Sequence, residues 1–417
     1  MGPGRGARPR PPPLGHRRAA PGPHPAAVRA ALGLARPFRP PGRHRPVPAR
    51  PSPGARRTGD PDLDRRLYEL LDAVGATADR DQLFEILATA VGLAGDGADR
   101  LDLKITNAAL AEMRRAFRVF APWQDVPKVT IFGSARTHSD DPLYIQTRDL
   151  AAALAGAGWM VVTGAGPGIM AAGAEGAGPD HTIGVNIRLP FEGTNPFMGD
   201  DRKLVVMKYF FTRKLMLMKE SAGFVVLPGG FGTLDETFEL LTLLQTGKAA
   251  PAPIVLLDVP GGGYWRSWQD FVGHDVVGRG LAGPHDLALC HRTDDVADAV
   301  GHVLGFYRNY HSLRWVGSRL VIRLRTAPRA DELVELNRAF ADICLHGGIE
   351  AGPPLPPEVA DGDHLDLARL VLAFDRMSYA RLRGLIDALN HLESAPALAP
   401  PSPDSAHAAG APADDGS

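Results

Sequence analysis

The chain has 417 residues, 44% of them hydrophobic and 22% charged, with a formal net charge of −1 at pH 7. This length exceeds one ordinary domain and predicts two or three units. No stretch offers about 18 uninterrupted apolar residues, which argues against a conventional membrane-spanning helix and against a membrane as partner.

The first segment differs in composition from the rest of the chain. Residues 1–57 hold 13 Arg and 15 Pro with no Lys and no acidic residue, so they carry +13 and the remainder carries −14. A segment so poor in apolar side chains cannot bury enough surface to offset the entropy of ordering. We therefore predict that residues 1–58 form a disordered Arg/Pro-rich tail.

The tail has neither a clear binding signature nor a targeting signature. Arginines can bind the phosphates of nucleic acid or of a membrane surface, but no aromatic residues alternate with them, so nucleic acid is not an expected partner. No apolar run follows Arg17-Arg18, and prolines at 21, 23 and 25 break any amphipathic helix. Cys290 and Cys344 are the two cysteines, which fits a reducing, cytoplasmic location.

Residues 59–122 are predicted to form an N-terminal helical region. Apolar residues recur there at helical spacing in three successive stretches. These stretches contain Leu63, Leu67, Leu70 and Leu71, then Leu83, Ile86, Leu87 and Val91, then Ala108, Met113, Phe117 and Phe120.

Residues 123–310 are predicted to form an α/β domain, because short apolar strands alternate with stretches of helix length. Several of the strands are continuous apolar runs, typical of parallel strands covered on both faces by crossover helices. The predicted fold class is therefore a Rossmann-like, doubly wound parallel sheet with flanking helical extensions. The expected strands are 128–132, 159–163, 182–187, 203–207, 223–227 and 253–258, with a last helix at 294–308.

Residues 311–393 are predicted to form a C-terminal accessory region. It is expected to contain an isolated strand at Arg319–Leu324 and helices at about 331–346 and 365–392. Residues 394–417 return to Ala, Pro, Asp and Ser, and a second disordered tail is expected there.

The segment 227–236, Leu-Pro-Gly-Gly-Phe-Gly-Thr-Leu-Asp-Glu, joins a strand end to a helix start through glycines. Gly229, Gly230 and Gly232 allow positive φ angles and a close approach of the ligand to the backbone. The free N–H groups and the positive dipole end of the following helix favour a phosphate. Thr233 and Glu236 also have the spacing of a capping box, so a purely structural interpretation of both residues stays open.

A second glycine cluster, Gly164-Ala-Gly166-Pro-Gly168, follows the strand 159–163. Carboxyl ends of parallel strands meet at one sheet edge, so both loops are expected to hold one ligand from two sides. The cluster departs from G-x-G-x-x-G and no clear acidic residue ends the next strand, which argues against a dinucleotide.

The segment 228–236, preceded by Thr-Arg-Lys-Leu-Met-Leu-Met at 212–218, resembles the LONELY GUY family of nucleoside-monophosphate phosphoribohydrolases, often labelled lysine decarboxylase-like. Further markers are Ile-Phe-Gly-Ser-Ala-Arg at 131–136, Gly164–Met170 and Gly-Val-Asn-Ile at 184–187. The resemblance spans roughly 128–308, and the flanking helices are similar to those of the longer members of the family.

This resemblance implies hydrolysis of a nucleoside 5′-monophosphate, purine or cytokinin riboside, to free base and ribose 5-phosphate. Glu236 is then the carboxylate that stabilises the ribosyl cation or activates water, and Arg213 the cation that holds the ribose phosphate. Taken alone, Arg213 and Lys214 would be a solvated helix face and Thr242 an ordinary helix threonine. The implied substrate contacts are Ser134, Gly164, Gly166, Gly168, Glu192, Lys214, Gly229, Gly230, Gly232, Thr233 and Thr242.

No metal and no cofactor are expected. The 14 histidines include no H-x-x-x-H or H-E-x-x-H pair, and hydrolysis by a carboxylate and an arginine requires no metal. Pyridoxal phosphate needs a Schiff-base lysine, and Lys214, Lys219 and Lys248 lack a supporting motif.

The resemblance also implies a homo-oligomer built from dimers, with the active site beside a two-fold interface. Two other functions stay open: a non-catalytic nucleotide or cofactor carrier on the same fold, and a purine-nucleotide nucleosidase regulated by an effector at the terminal helices. The sequence does not distinguish a cytokinin base from adenine, guanine or hypoxanthine.

Overall fold

The computed structural model describes residues 57–187 and 201–397. The predictions for Glu192 and for most of the two terminal tails therefore lie outside the described residues.

From residue 57 onward, three α-helices precede the first strand, as the apolar periodicity predicts. They are α1 (Pro61–Ala73), α2 (Arg80–Gly95) and α3 (Arg100–Phe120). Asp60 caps α1 by accepting hydrogen bonds from the two backbone N–H groups of Asp62 and Leu63. A capping box formed by Asp99 and Asp102 opens α3.

Seven parallel strands form one sheet in the order β4-β3-β2-β1-β5-β6-β7. They are β1 (Lys128–Phe132), β2 (Met160–Thr163), β3 (Thr182–Ile187), β4 (Leu204–Met207), β5 (Gly223–Val226), β6 (Ile254–Leu257) and β7 (Cys290–Thr293). The six predicted strands are confirmed to within one residue at each end. The seventh, Cys-His-Arg-Thr, was not predicted because this edge strand has no apolar run.

Helices cover both faces of this sheet, so the doubly wound fold is confirmed. Successive strand residues point to opposite faces, and Ile131 and Phe132 accordingly belong to two separate apolar clusters. Fully burying one such side chain contributes roughly 1.5–3 kcal/mol. The helices are α4 (Pro142–Gly156), α5 (Ile169–Ala177), α6 (Phe210–Lys219), α7 (Phe231–Gln245), α8 (Tyr264–Phe271) and α9 (Val296–Gly305).

The C-terminal region contains a second, antiparallel sheet in the order β10-β11-β9-β8. Its elements are β8 (Tyr310–Val316), β9 (Arg319–Leu324), α10 (Ala330–Phe340), β10 (Glu350–Ala351), α11 (Pro356–Asp361), β11 (Ala368–Leu372) and α12 (Tyr379–His391). The strand predicted at Arg319–Leu324 is confirmed as β9, but the expectation that it is isolated was wrong, because it pairs with both β8 and β11.

The predicted helix over 365–392 was wrong in its first part. Residues Ala368–Leu372 form β11, and a turn around Asp375 separates this strand from α12. The Asp375 carboxylate accepts hydrogen bonds from the backbone N–H groups of Met377 and Ser378. The segment Ala-Arg-Leu-Val-Leu is short, lies next to a helix and is interrupted by Arg369, so its strand character is not evident from the sequence.

The two sheets share an apolar cluster. Val303 and Phe306 from the end of the α/β part pack in one cluster with Ile322 of β9 and Ile386 of α12. The boundary predicted at residue 310 stays a prediction, and this cluster extends across it.

A cavity of about 1070 Å³ lies between the second sheet and the amino ends of the parallel strands. Lys128 at the start of β1 and Ala222 just before β5 line it, together with His311 and His364. The accessory region therefore contacts the edge of the parallel sheet opposite to the glycine loops, and those loops lie at the carboxyl edge.

The loop after β2 is tied to the end of β1 by the backbone. The N–H of Ile169 donates to the carbonyl oxygen of Ser134 at 3.0 Å. Gly168 has φ +66°, and a Cβ there would collide with this same carbonyl oxygen. Only glycine fits this position without displacing the start of α5.

We expect Gly168→Ala to destabilise the fold by more than the roughly 1–3 kcal/mol that a left-handed backbone costs a non-glycine residue. Gly178→Ala is the matched control, because Gly178 has φ +73° and its Cβ would meet nothing within 4 Å. Urea unfolding measures both variants. Equal losses would show that the contact with Ser134 adds nothing.

Candidate functional site

The start of α7 lies at the carboxyl end of β5. The helix begins at Phe231 with Gly230 as N-cap, and within the described residues no side chain caps it. Thr233 is thus the third helical residue and not the N-cap. The interpretation of Thr233 and Glu236 as a capping box is therefore wrong. The side chain of Glu236 is not needed to begin this helix.

The three glycines before and within the first turn of α7 have different roles. None of Gly229, Gly230 and Gly232 has a positive φ, so that expectation was wrong. A Cβ on Gly229 would collide with the Thr233 side chain, whereas one on Gly230 or Gly232 would meet nothing within 4 Å. The first glycine is needed for packing, and the other two leave backbone N–H groups open to a ligand.

A residue that the sequence analysis missed holds this loop from the side. The Tyr264 hydroxyl, at the start of α8, donates to the carbonyl oxygen of Gly229 at 2.7 Å. The backbone N–H of Tyr264 in turn donates to Asp258 Oδ2 at 3.1 Å. In the sequence, only the glycines at 261–263 before Tyr264 mark this position. They do not indicate a contact with a residue 35 positions away.

The loop after β2 contains one strained residue. Ala165 lies in the left-handed region at φ +54°, while Gly166 is buried beside it. The Ala165 N–H donates to Thr163 Oγ1 at 3.2 Å, and its carbonyl oxygen accepts from Asn186 Nδ2 at 3.1 Å. These two contacts with the ends of β2 and β3 hold an alanine where glycine is usual.

Arg213 lies in the first turns of α6, which starts at the carboxyl end of β4. Its Nε donates to the Val185 carbonyl oxygen at 2.9 Å, and its Nη2 to that of Gly164 at 3.3 Å. A Cβ on Gly164 would collide with the Arg213 guanidinium. The glycine is therefore needed to admit the arginine, and the arginine joins α6 to the ends of β2 and β3.

Glu236 faces Arg213 from α7. The distance from Arg213 Nη1 to Glu236 Oε1 is 4.0 Å, and the two side chains are 11% and 13% exposed. Burial raises the pKa of Glu236 to about 7, although the Arg213 cation opposes this shift. Near neutral pH the carboxyl group therefore populates both its protonated and its ionised forms, a property common at functional sites.

Lys214 forms ion pairs with two acidic residues of α7. Its Nζ lies 3.0 Å from Asp235 Oδ2 and 2.5 Å from Glu239 Oε2. These pairs align α6 with α7 and neutralise the ammonium group. The implied substrate contact of Lys214 stays a prediction.

Of the remaining predicted site residues, Ser134 lies beside the glycine loops and Thr242 lies far from them. Ser134 is at the carboxyl end of β1, where its Oγ accepts from the Arg136 N–H at 3.1 Å. Thr242 is exposed, its hydroxyl donates to the Phe238 carbonyl oxygen, and it lies about 18 Å along α7 from Gly230. Within one chain the structure brings Ser134 to the loops and does not bring Thr242 there.

The described residues also limit other classes of site. Between 57 and 187 and between 201 and 397, no helix combines the length and apolar character needed to cross a membrane. In the same ranges, no three His, Cys, Asp or Glu residues are placed to hold a metal ion.

Comparisons with known proteins identify a family and relatives of this chain. The family model described as "Possible lysine decarboxylase" matches residues 167–303. The cytokinin riboside 5′-monophosphate phosphoribohydrolase LOG3 of Arabidopsis thaliana is 36% identical over 101 residues, 24% of this chain and 44% of that protein. The cytokinin riboside 5′-monophosphate phosphoribohydrolase of Mycobacterium tuberculosis is 32% identical over 159 residues, 36% of this chain and 80% of that protein.

Among solved structures, the molybdenum cofactor carrier protein of Chlamydomonas reinhardtii is 23% identical with a TM-score of 0.31, covering 42% of this chain and 94% of that chain.

The chain spans under half the length of the Arabidopsis relative and four-fifths of the mycobacterial one. The matched residues 167–303 include Arg213, Glu236 and the glycine loop before α7. With a relative that is 32% identical and covered over 80% of its length, the chain belongs to the LONELY GUY family.

Proposed function

We propose that the protein hydrolyses the N-glycosidic bond of a nucleoside 5′-monophosphate, giving a free base and ribose 5-phosphate. The observation that carries this proposal is the buried pair of Arg213 and Glu236 between two glycine loops. The names of the plant and mycobacterial relatives supply the substrate class. A purine nucleotide and a cytokinin riboside 5′-monophosphate share the chemistry described below.

The open backbone at the start of α7 suits the 5′-phosphate. Gly230 and Gly232 leave room beside the first N–H groups of the helix, where the helix dipole favours an anion. Arg213 adds a fixed positive charge within the same group of loops. Its two carbonyl contacts hold the guanidinium in place before the substrate binds.

Glu236 suits the reacting carbon. As the C1′–N bond breaks, its electron pair goes to the base and positive charge develops on the ribose. An ionised carboxylate stabilises that charge and takes a proton from the water whose oxygen bonds to C1′, while the departing base nitrogen takes up a proton. A pKa of about 7 makes the carboxylate a base matched to neutral conditions.

A non-catalytic carrier is the second candidate function. Such a module needs the glycine loops to hold a nucleotide, but it does not need a carboxyl group buried against an arginine. Burying such a carboxyl group raises its pKa and destabilises its ionised form, which a binding role alone does not require. The pair therefore favours the hydrolase.

We expect the purified protein to release base from AMP, GMP, IMP or a cytokinin riboside 5′-monophosphate, and to release far less from the matching nucleoside. The reason is that binding energy from the phosphate positions the reacting carbon. Chromatographic measurement of free base at pH 8, where Glu236 is ionised, provides the test. Equal turnover of adenosine and AMP would contradict the phosphate site, and nucleotide binding without base release would support the carrier.

We also propose that the protein is a homo-oligomer built on a dimer. Large apolar side chains lie exposed on three neighbouring helices, and Phe231 at the mouth of the glycine loop is 94% exposed. An apolar surface of this kind beside a site suits a second copy of the chain. The exposed side chains are Leu110 and Phe117 on α3, Phe210, Phe211 and Leu215 on α6, and Phe231 and Phe238 on α7.

Phe210→Glu is expected to convert the oligomer to a monomer at micromolar concentration, because it places a charge on the apolar surface. An acidic residue is favourable in the first turn of α6, so the helix itself is preserved. Leu281→Glu, an equally drastic change at an exposed apolar residue outside this surface, serves as the control. Light scattering distinguishes the outcomes, and a monomeric wild type would rule out the proposed assembly.

A further inference from the structure

We infer that Glu112, on the N-terminal helix α3, is a positioning residue that holds Arg213 in the site. The inference rests on the proposed function. It assigns a role in the site to a helix that lies outside the matched residues 167–303.

Glu112 is a buried carboxylate with two contacts across about a hundred residues of chain. Its Oε1 accepts from the backbone N–H of Lys208 at 2.9 Å. Its Oε2 lies 2.7 Å from the Thr212 hydroxyl, which is also 2.9 Å from the carbonyl oxygen of Tyr209. All of these groups belong to the start of α6.

The start of α6 lacks a cap from its own segment. Tyr209 is the N-cap residue, and within the described residues its side chain makes no capping hydrogen bond. Helix starts leave backbone N–H groups without helical partners, and a nearby anion stabilises them. Glu112 binds this helix start from α3, through the N–H of Lys208 just before the N-cap and the hydroxyl of Thr212 in the first turn, and its negative charge lies at the positive end of the helix dipole.

Arg213 is the residue next to Thr212. Its guanidinium reaches the Val185 and Gly164 carbonyl oxygens and lies 4.0 Å from Glu236. A displacement of the start of α6 therefore displaces the cation relative to the carboxyl group. Misplacement of a catalytic group by about 1 Å lowers rates by about 10²-fold.

Other contacts of α3 fix its position beside α6. Arg115 Nη1 donates to the Val206 carbonyl oxygen of β4 at 3.3 Å. At the far end of α6, Lys219 Nζ lies 5.1 Å from the centre of the Phe117 ring. The helix that carries Glu112 is thus attached both to β4 and to the C-terminal end of α6.

The experiment is a double-mutant cycle between position 112 and position 213. We expect Glu112→Ala to lower kcat/KM for AMP by about 10- to 100-fold. Combined with Arg213→Lys, it adds less than about threefold, because its effect passes through Arg213. Effects that multiply in the double variant would overturn the inference.

Two conservative variants separate geometry from folding. Glu112→Gln is expected to stay within about threefold of wild type, since an amide can accept from the Lys208 N–H and donate to the Thr212 hydroxyl. Thr212→Val keeps the shape of the side chain and removes the hydroxyl that contacts Glu112 and the Tyr209 carbonyl oxygen, so it should lower kcat/KM in the same direction as Glu112→Ala. A Thr212→Val protein with wild-type kcat/KM would count against the inference, even if Glu112→Ala does not fold.

Glu332→Ala is the matched control. Glu332, in the first turn of α10, is also a buried carboxylate. It accepts from the backbone N–H of Arg329, the N-cap of this helix, and from that of Ser394, which follows α12. Its loss should lower stability and leave kcat/KM of the folded protein unchanged. A similar fall in kcat/KM for both alanine variants would mean that Glu112 acts only through general stability.

The dissociation constant for AMP, measured by calorimetry on the same proteins, separates this inference from the proposed function. A wild type that binds AMP without releasing base rejects the hydrolase, and the same cycle is then evaluated from the dissociation constants. If AMP is not bound, the cycle uses whichever of GMP, IMP and the cytokinin riboside 5′-monophosphate the protein binds, and a wild type that neither binds nor hydrolyses any of the four contradicts both proposals.

Discussion

The guanidinium of Arg213 is the group on which the candidate site depends. It is buried, it cannot lose its proton, and it must therefore find acceptors inside the protein. Two of them are the carbonyl oxygens of Val185 and Gly164, at the ends of β3 and β2. Because the guanidinium lies against Gly164, that residue must lack a side chain. One side chain from α6 thus fixes the geometry of two loops at the carboxyl edge.

The same cation determines the environment of Glu236. Burial between α6 and α7 raises the pKa of this carboxyl group to about 7, and Arg213 limits the rise. The two helices are held by residues outside the glycine loops, Glu112 at the start of α6 and Tyr264 beside the start of α7. Ordinary hydrogen bonds around the candidate pair of Arg213 and Glu236 therefore offset the cost of burying its charges.

Much of the parallel sheet could be predicted because its central strands are continuous apolar runs, such as Phe-Val-Val at 224–226. Of the second sheet only β9 was predicted, and its partner β11 was missed because Arg369 interrupts the apolar residues of that strand. Arg323 of β9 and Arg369 of β11 both pair with the buried carboxylate of Glu358. A charged residue in an apolar run suggests a surface element, and the partner that permits its burial is distant in sequence.

In the candidate site, too, the residues within local motifs could be predicted and those that depend on distant partners could not. Arg213 and Glu236 were identified because local motifs contain them, although their contact crosses 23 positions. Glu112 and Tyr264 belong to no local motif, and their roles depend on contacts that only the folded chain brings together. The left-handed Ala165 was missed for a related reason, since glycines on both sides of it suggested that they would take the unusual backbone angles.

The rate of base release by Glu236→Gln at pH 8 tests the central claim most directly. The change keeps the shape of the side chain and removes its charge. Glu239→Gln, on the same helix, is the control. We expect a loss of about 10²- to 10⁴-fold for Glu236→Gln, with no loss of folding stability. A folded Glu236→Gln protein that binds AMP and retains more than about a tenth of the wild-type rate would contradict it.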